Sequence, residues 1–504
     1  MIGTTVLGVA LWWVLALFVA LASGAALGIA RRADDEPLGR FRRPVAVVFV
    51  LSVVIVTVEY LLWGLYLLVV TQVAGVDAMS LTLAAVLVLL ALALVDGYRT
   101  ETERVTRQRW RTFAAVFVVA AAFLVLYTYL ATTGWLVMFT LFADDHRADN
   151  FQQMDELFPA EDIEADGDVW ELDRDDQALP ETFTYQGEEH DTQTVLDDFE
   201  TTGLVVLHEG AIVHESYYQG YDERSQATSW SAGKSVTSAL VGVAIEEGHI
   251  DSVEDSLTEY VPELEGSGYD GVTVREALTM SSGVAFDETY DEFLTDPIEL
   301  KIDAYAFNES MRDQLADIDR DREPGAYREY VSVDTMALGL ALEGATGESL
   351  ASYAESRLWQ PAGMEGDAFW TVDHAGSGLA YCCVNANVRD YARFGELFRA
   401  GGVADGAQVI PEEWVEQSTS PQPPHEDAPD AAFGFEGYDY GFQWWIPDDT
   451  DGVFEAHGIY GQYVSVDTER DVVIAQTATN AEFLEEDLKR LELFQAISEY
   501  VSSD

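Results

Sequence analysis

The sequence predicts an α/β domain that follows an α-helical membrane region. Four long apolar stretches fill most of the first 143 residues. From residue 191 onward the hydrophobic pattern gives a hairpin and a helix, then a helical middle, then strands and a closing helix. That order is typical of a mixed sheet with helices on both faces. We therefore divide the chain into a membrane region (1–143), a linker (144–190) and a folded domain (191–504).

The apolar stretches cover residues 4–30, 44–76, 79–95 and 112–142. Each can cross a hydrocarbon core as a helix, and the third is the shortest. The loops between the first and second stretches and between the third and fourth carry five arginines each. Cytoplasmic loops are enriched in arginine, so both termini are expected outside. The sequence thus predicts a multi-pass cell-membrane protein in the lipid bilayer, with its C-terminal domain extracellular. That orientation requires all four spans.

The charge of the chain is strongly negative. Its 504 residues include 27 basic and 89 acidic ones, and 17 of the basic and 81 of the acidic residues lie in 144–504. Self-repulsion on this scale strains a compact domain in dilute salt, whereas multimolar salt screens it. An acid-rich, lysine-poor composition is typical of halophilic proteins, so we expect a high-salt environment. Since no basic patch exists outside the two arginine-rich loops, nucleic-acid binding is not expected.

Residues 144–190 form an acidic segment without apolar periodicity. Segments of low hydrophobicity and high net charge bury too little apolar surface to fold on their own. The sequence therefore predicts a juxtamembrane linker with limited structure.

The two cysteines, Cys382 and Cys383, are adjacent. Neighbouring cysteines rarely form a disulfide, and no spaced set of cysteines and histidines suggests a metal site. We expect both to be small buried residues, and we expect neither a metal nor a cofactor.

Within the domain, turn signals and periodicity predict the elements in order. Runs at 204–207 and 211–217 flank a Glu209-Gly210 turn and predict a hairpin. Apolar residues at helical spacing predict a helix over 235–247 that ends at Gly248. Further helices are predicted at 273–280, 332–346, 350–358 and 388–399, strands at 440–445, 463–467 and 471–476, and a last helix at 481–501.

The chain has three lysines, and one of them, Lys234, follows Ser231 by three positions. Three residues make about one helical turn, so the hydroxyl and the amine lie on one helix face. This pairing provides a serine nucleophile with a lysine as its base. At the start of a helix, the positive end of the dipole favours the alkoxide. Because Lys234 must be neutral to act as a base, we expect an apolar pocket; burial and a nearby cation both lower a lysine pKa.

Five further features of the sequence, in order, are the segments 229–248, 272–283, 324–335, 358–364 and 387–395. Together they resemble the serine β-lactamase and penicillin-binding protein superfamily. More narrowly, they resemble its esterase and amidase branch, which includes 6-aminohexanoate-dimer hydrolases. The resemblance covers residues 203–501 and none of the membrane region. It implies a mixed, mainly antiparallel sheet flanked by helices, with a helical subdomain.

The resemblance implies roles for four residues. Ser231 matches the acylated nucleophile and Lys234 matches its base. Tyr330 matches the tyrosine that relays the proton to the leaving group, and Ser332 completes that Tyr-x-Ser element. No glutamate of the class A type can be placed, so deacylation is expected to use Tyr330 and Lys234 to activate water.

The third element of the superfamily, Lys-Thr-Gly on a strand edge, falls at residues 456–458. Gly458 is kept, so a backbone can approach the acyl group closely. The lysine is replaced by alanine, which puts recognition of a β-lactam carboxylate in doubt. The backbone N–H groups of Ser231 and Ile459 would then form the oxyanion hole. His457 is either a polar pocket group or a structural hydrogen-bonding residue, and Tyr290 is either a substrate-side tyrosine or a loop aromatic.

The sequence thus predicts a membrane-anchored serine hydrolase that cleaves small esters or amides through an acyl-enzyme on Ser231. One alternative is a carboxypeptidase of the D-Ala type. Another is a membrane sensor or binding module that is acylated, or binds its ligand, without turnover. The partners expected are a small-molecule ester or amide and the bilayer, and nothing in the sequence indicates a protein partner.

Overall fold

The computed structural model describes residues 140–289, 295–429, 437–448 and 450–503, all within the compact unit Leu130–Asp504. Of the four predicted spans, only residues 140–142 fall inside these ranges. The other residues of the predicted membrane region lie outside the described part. Within that part, no helix is both long and apolar enough to cross a bilayer.

The strands of the described residues are short, with none longer than eight residues. They are β1 (Ala160–Ile163), β2 (Thr182–Tyr185), β3 (Glu188–Asp191), β4 (Thr201–His208), β5 (Ala211–Tyr217), β6 (Ala227–Thr228), β7 (Ala368–Thr371), β8 (Val384–Ala386), β9 (Val403–Ala404), β10 (Ala407–Gln408), β11 (Tyr438–Tyr440), β12 (Trp445–Pro447), β13 (Val453–Gly458), β14 (Gln462–Asp467) and β15 (Val472–Ala478).

A seven-stranded sheet organises the domain, in the order β11-β12-β13-β14-β15-β4-β5. Each neighbouring pair in it is antiparallel, including β15 with β4, which joins the C-terminal strands to the early hairpin. A four-stranded sheet has the order β1-β7-β8-β6, and β2–β3 and β9–β10 form two-stranded sheets. The fold class predicted from the sequence, α/β with a mainly antiparallel sheet, is confirmed.

The helices lie before, between and after these strands in the sequence. They are α1 (Arg147–Gln152), α2 (Met154–Leu157), α3 (Thr192–Asp198), α4 (Gly233–Glu246), α5 (Leu257–Tyr260), α6 (Val274–Leu278), α7 (Asp296–Ala306), α8 (Met311–Ala316), α9 (Ser332–Thr346), α10 (Leu350–Ala354), α11 (Val388–Arg399), α12 (Glu412–Ser418) and α13 (Asp487–Val501).

The main sheet separates two hydrophobic cores because side chains alternate across a strand. On β4, Leu204 and Val206 point into a small core with α3 and α13. Val205 and Leu207 point into the large core, which also contains α4, α9 and α11. Both faces of β4 are therefore apolar, as expected for a strand covered on two sides.

Helices α4 and α9 pack against each other inside the large core. In α4, Leu240 and Ala244 are fully buried, and in α9 so are Met336 and Leu340. Ser231 lies in the turn directly before α4, Lys234 lies in the first turn of α4, and Ser332 begins α9. This packing therefore fixes the catalytic side chains relative to each other.

Several predicted elements are confirmed. The hairpin is β4–β5, the predicted bounds of α9 and α11 match, and α4 covers the predicted active-site helix. The helix predicted at 350–358 is α10 continued by a π-helical turn, Glu355–Trp359, and the last helix begins later, at Asp487.

The strand predicted at 440–445 is wrong, because the chain there forms β11 and β12 with a turn between them. Gln443 in that turn has a left-handed φ of 66°. Its amide donates to the carbonyl oxygens of Ala277 and Leu278, and its side-chain oxygen accepts from Thr335. Tertiary hydrogen bonds of one glutamine thus override the local β propensity.

The limited structure expected for 144–190 is not what the chain forms. This segment contains α1, α2, β1 and all but the last residue of the β2–β3 hairpin. Its strand β1 pairs with β7. Phe151, Met154, Phe158 and Ile163 are buried in the large core. A few apolar residues, spaced without regular periodicity, anchor an otherwise acidic segment to the domain.

The expectation of two unbonded cysteines is also corrected, since a disulfide joins Cys382 to Cys383. Both are buried, as expected. Cys383 has a left-handed φ of 73°, which turns the chain there. In an extended chain, successive side chains would point to opposite sides, and this turn brings them together.

Candidate active site

Ser231 lies in a tight turn directly before α4. Residues Trp230–Ala232 form one turn of 3-10 helix, and α4 begins at Gly233. Trp230 has a left-handed φ of 44°, an uncommon conformation for a bulky residue. Ser231 is therefore presented where the N–H groups of the first helical turn point outward.

Gly458, at the end of β13, allows that strand to approach the nucleophile turn. A Cβ atom at this position would lie 2.3 Å from the carbonyl oxygen of Ser229 and 3.2 Å from the nitrogen of Ala232. Real side chains do not tolerate the first distance, so glycine is required here. Ile459, the next residue, is consequently held beside the turn that carries Ser231.

Lys234 is buried, and its amine has three hydrogen-bonding neighbours. The Nζ atom lies 2.8 Å from Ser231 Oγ, 3.1 Å from Ser332 Oγ and 3.1 Å from the carbonyl oxygen of Tyr381. Burial lowers the pKa of Lys234 from 10.5 to about 7, because a charged amine is poorly solvated there. The amine can thus be neutral near neutral pH.

Glu288 determines how the neutral amine is oriented. Its carboxylate accepts from the N–H of Ser332 at 2.8 Å and from Ser332 Oγ at 2.6 Å. The hydroxyl proton of Ser332 is thereby committed, so Ser332 Oγ can only accept from Lys234, and the carbonyl oxygen of Tyr381 also only accepts. A neutral amine has two protons and one lone pair. With both protons so placed, the lone pair faces Ser231 Oγ.

Tyr330 lies on the other side of the lysine. Lys234 Nζ is 4.9 Å from the centre of the Tyr330 ring. Burial raises the pKa of Tyr330 well above its usual value, and a hydrogen bond with Ser231 opposes this rise. The ring packs against Trp445, with centroids 5.3 Å apart, and against Tyr440. Tyr330 is therefore a protonated phenol, held by aromatic contacts, that touches the nucleophile.

Lys301, on α7, is a second cation at this site. Its Nζ atom lies 4.7 Å from the centre of the ring of Trp230, the residue before the nucleophile. The charge of Lys301 lowers the pKa of Lys234, whereas that of Glu288 raises it. Burial also lowers the pKa of Lys301, to about 8.

His457 lies in a buried network with Glu455 and Arg490. His457 Nε2 is 2.8 Å from Glu455 Oε2, and Arg490 Nη1 donates to Glu455 Oε1 at 2.6 Å. The imidazole stacks on Trp445, with centroids 5.1 Å apart. Of the two readings of His457, the structural one fits these contacts directly, and through Trp445 the network supports Tyr330.

The structure brings Ser231, Lys234, Tyr330, Ser332 and Gly458 together, as the sequence predicts. Tyr290 lies outside the described residues.

Sequence reasoning missed Glu288 and Lys301. Glu288 is two positions from Tyr290, in a segment considered only for its tyrosine. Lys301 could have been found by the argument applied to Lys234, since it is another of the three lysines in the chain.

No group of three or more histidine, cysteine, aspartate or glutamate side chains in the described ranges could hold a metal ion. The described site contains a hydroxyl, an amine 2.8 Å from it, a phenol that touches the hydroxyl and a nearby strand end. This set can transfer an acyl group to an oxygen nucleophile.

Comparisons with known proteins agree with this chemistry. The family model described as Beta-lactamase matches residues 191–496. The 6-aminohexanoate-dimer hydrolase of Paenarthrobacter ureafaciens is 32% identical over 301 residues, which are 57% of this chain and 75% of that protein. A solved structure from Bacillus anthracis, provisionally named a 6-aminohexanoate-dimer hydrolase, shares the fold. Its TM-score is 0.65 at 24% identity, covering 72% of this chain and 96% of that one. The chain therefore belongs to the Beta-lactamase family and is a serine hydrolase.

Proposed function

We propose that this chain hydrolyses small esters or amides through an acyl-enzyme on Ser231. The observation that carries the proposal is the hydrogen-bonding pattern of Lys234. Its amine is 2.8 Å from Ser231 Oγ, and its two other neighbours act as acceptors. A base with this orientation and a pKa near neutrality suits removal of the serine proton.

Acylation begins when Ser231 Oγ attacks the carbonyl carbon of the substrate. The Oγ–C bond forms as the hydroxyl proton passes to Lys234 Nζ. The N–H groups of Ser231 and Ile459 stabilise the oxyanion. The bond to the leaving oxygen or nitrogen then breaks, and that atom takes a proton from Tyr330, which is reprotonated by Lys234.

Deacylation uses the same groups in reverse. Lys234 and Tyr330 take a proton from a water molecule as its oxygen attacks the acyl carbon. The bond between that carbon and Ser231 Oγ breaks, and Oγ recovers the proton. The products are a carboxylic acid and the free enzyme.

The name of a relative, 6-aminohexanoate-dimer hydrolase, supports small amides and the related esters as the substrate class. The missing lysine of the third element, where Ala456 stands, argues against a carboxypeptidase that grips a terminal carboxylate at this strand.

We also propose that the first 143 residues anchor the protein in a cell membrane, with the hydrolase domain outside and in high salt. Four apolar stretches, two arginine-rich loops and the excess of acidic residues support this placement. Alkaline carbonate extraction of membranes tests the anchor, and protease treatment of intact cells tests the side. Release by carbonate would reject the anchor.

The catalytic proposal is tested with the full-length protein in multimolar KCl and a mild detergent. Hydrolysis of 4-nitrophenyl esters and of amino-acid amides is measured for the wild type and for Ser231→Ala, and acyl adducts are sought by intact mass. Turnover that Ser231→Ala abolishes supports the proposal. A stable adduct without turnover identifies an acylated sensor. If the folded protein shows neither turnover nor an adduct, acyl chemistry at Ser231 is rejected.

A further inference from the structure

Lys301 lies on the side of α7 that faces Trp230. The residues around it on this helix face are buried, including Leu300, Ala304 and Tyr305. The lysine itself is half-buried, and its amine lies over the indole of Trp230 at 4.7 Å and over Phe142 at 5.7 Å. Trp230 directly precedes the nucleophile, so the amine is within the reach of a small substrate bound to Ser231.

Within the described ranges, Lys301 makes no ion pair. Glu288 is the buried carboxylate whose charge acts on Lys301, but its oxygens accept from the N–H and the hydroxyl of Ser332. No residue three or four positions from Lys301 on its helix is acidic. By contrast, Lys489 lies 3.9 Å from Glu486. The amine of Lys234 has three hydrogen-bonding neighbours, one of which is the reacting hydroxyl of Ser231.

Among the described residues, a half-buried cation without a carboxylate partner is unusual. The sequence has 89 acidic residues against 27 basic ones, so carboxylates for surface cations are abundant. Partial burial of an unpaired charge costs free energy, and the aromatic faces of Trp230 and Phe142 offset only part of it. A ligand anion that enters the pocket would provide the missing partner.

We propose that Lys301 binds a free carboxylate of the substrate, so that the enzyme prefers linear esters and amides that carry one. This inference rests on the proposed function, since it names the substrate class of the same site. The proposal places anion recognition on α7, because Ala456 stands where the third element would supply a lysine. Lys301 would thus be a specificity-determining residue, which contacts the substrate away from the bond that breaks.

Matched substrates that differ in charge provide the test. On the acyl side, 4-nitrophenyl hemiglutarate, which carries a free carboxylate, is compared with neutral 4-nitrophenyl pentanoate. On the leaving-group side, 6-acetamidohexanoate is compared with its N-methyl amide. The quantity measured is the ratio of kcat/KM for the anionic over the neutral member. Any effect of a variant on the base Lys234 changes both members and cancels in the ratio.

The variant is Lys301→Gln, and the matched control is Lys489→Gln, which removes the same charge from a lysine on α13. The full-length protein is used throughout. We expect Lys301→Gln to lower the ratio about 10- to 100-fold for at least one pair, the range for loss of one hydrogen bond to a charged group. Lys489→Gln should leave both ratios within about threefold. Unchanged ratios for both pairs in Lys301→Gln would overturn the inference.

Binding without turnover separates this inference from the catalytic proposal. In a Ser231→Ala background, tryptophan fluorescence is titrated with glutarate and with glutaramide. Tighter binding of glutarate, lost in Lys301→Gln and kept in Lys489→Gln, supports the anion site even if no substrate is hydrolysed. Equal binding of both probes rejects the site. Turnover by the wild type with unchanged ratios rejects only the role of Lys301.

Discussion

Ser332 Oγ lies 3.1 Å from Lys234 Nζ and donates its own proton to Glu288, so the serine must accept from the lysine. This relationship links a buried carboxylate to the orientation of the base through the hydroxyl of Ser332. It also places a negative charge near an amine that must lose its proton. Glu288 therefore has two effects on Lys234, one geometric and one electrostatic, and they can be separated by pH.

The electrostatic effect gives a pH prediction. Lys234 acts in its neutral form, so kcat/KM should rise with pH through about 7 and then level off. The charge of Glu288 raises the pKa of Lys234, so Glu288→Gln should move this rise to lower pH. The charge of Lys301 lowers the pKa of Lys234, so Lys301→Gln should move the rise to higher pH. Profiles of kcat/KM for a neutral 4-nitrophenyl ester measure both shifts.

The geometric effect remains above the rise. There Lys234 is neutral in every variant, yet Glu288→Gln should still lower kcat about 10-fold or more, because the hydroxyl of Ser332 is no longer held by a carboxylate. Lys489→Gln is the control for a change of one charge away from the site. If Glu288→Gln and Lys301→Gln moved the rise of kcat/KM in the same direction on the pH axis, the electrostatic effect on Lys234 would be contradicted.

Tyr330 is predicted to matter most for poor leaving groups. Tyr330→Phe keeps the packing on Trp445 but removes the proton donor. An amide nitrogen must be protonated to leave, so kcat for amides should fall about 10²- to 10⁴-fold. A 4-nitrophenolate leaves without a proton, so acylation by that ester should fall much less. Stopped-flow measurement of the nitrophenol burst isolates this step, and equal losses for both substrates would argue against the relay.

The acidic segment before the hydrolase domain is predicted to contribute to stability. Phe151 is 1% exposed, and its ring lies 5.1 Å from that of Trp230 and 5.3 Å from that of Tyr460. Phe151→Ala should lower the free energy of unfolding by about 3–5 kcal/mol. Leu488→Ala, at a position 54% exposed, should change it by less than about 0.5 kcal/mol. Chemical unfolding followed by circular dichroism compares the two, and similar small effects would mean that the segment is only loosely attached.

Local signals explain which parts of the fold could be predicted. Helix α11 begins after Asn387, whose side chain accepts from the N–H of Asp390, and α9 is followed by the cap Gly347, whose φ is 72°. Both are caps that can be read from neighbouring residues. The spacing of Ser231 and Lys234 is local in the same way.

The missed features depend on contacts between distant residues. Glu288 meets Ser332 across 44 positions, and the side chain of Gln443 reaches α6 across 165. Neither contact leaves a periodic pattern in the sequence. Phe151 and Phe158 were missed because the apolar residues of this acidic stretch recur at no regular spacing.

The buried ion network beneath the third element gives the last prediction. Arg490 Nη1 lies 2.6 Å from Glu455 Oε1, and both side chains are buried. Burial by itself would raise the pKa of Glu455, but Arg490 and His457 hold that pKa well below its ordinary range. Glu455 therefore stabilises the fold above its unfolded pKa, and this contribution is lost as the pH falls toward the folded value.

Removing the cation should reverse this dependence. Arg490→Met leaves Glu455 buried without its main partner, and the free energy of unfolding at neutral pH should fall by about 3–5 kcal/mol. Because burial then raises the pKa of Glu455, acidification should cost the variant less stability than the wild type. Arg470→Met is the control, since the Arg470 side chain that pairs with Asp467 is 38% exposed, and it should change stability by less than about 1 kcal/mol. Unfolding curves at several pH values measure both effects. Parallel curves for wild type and Arg490→Met would mean that Glu455 does not depend on this arginine.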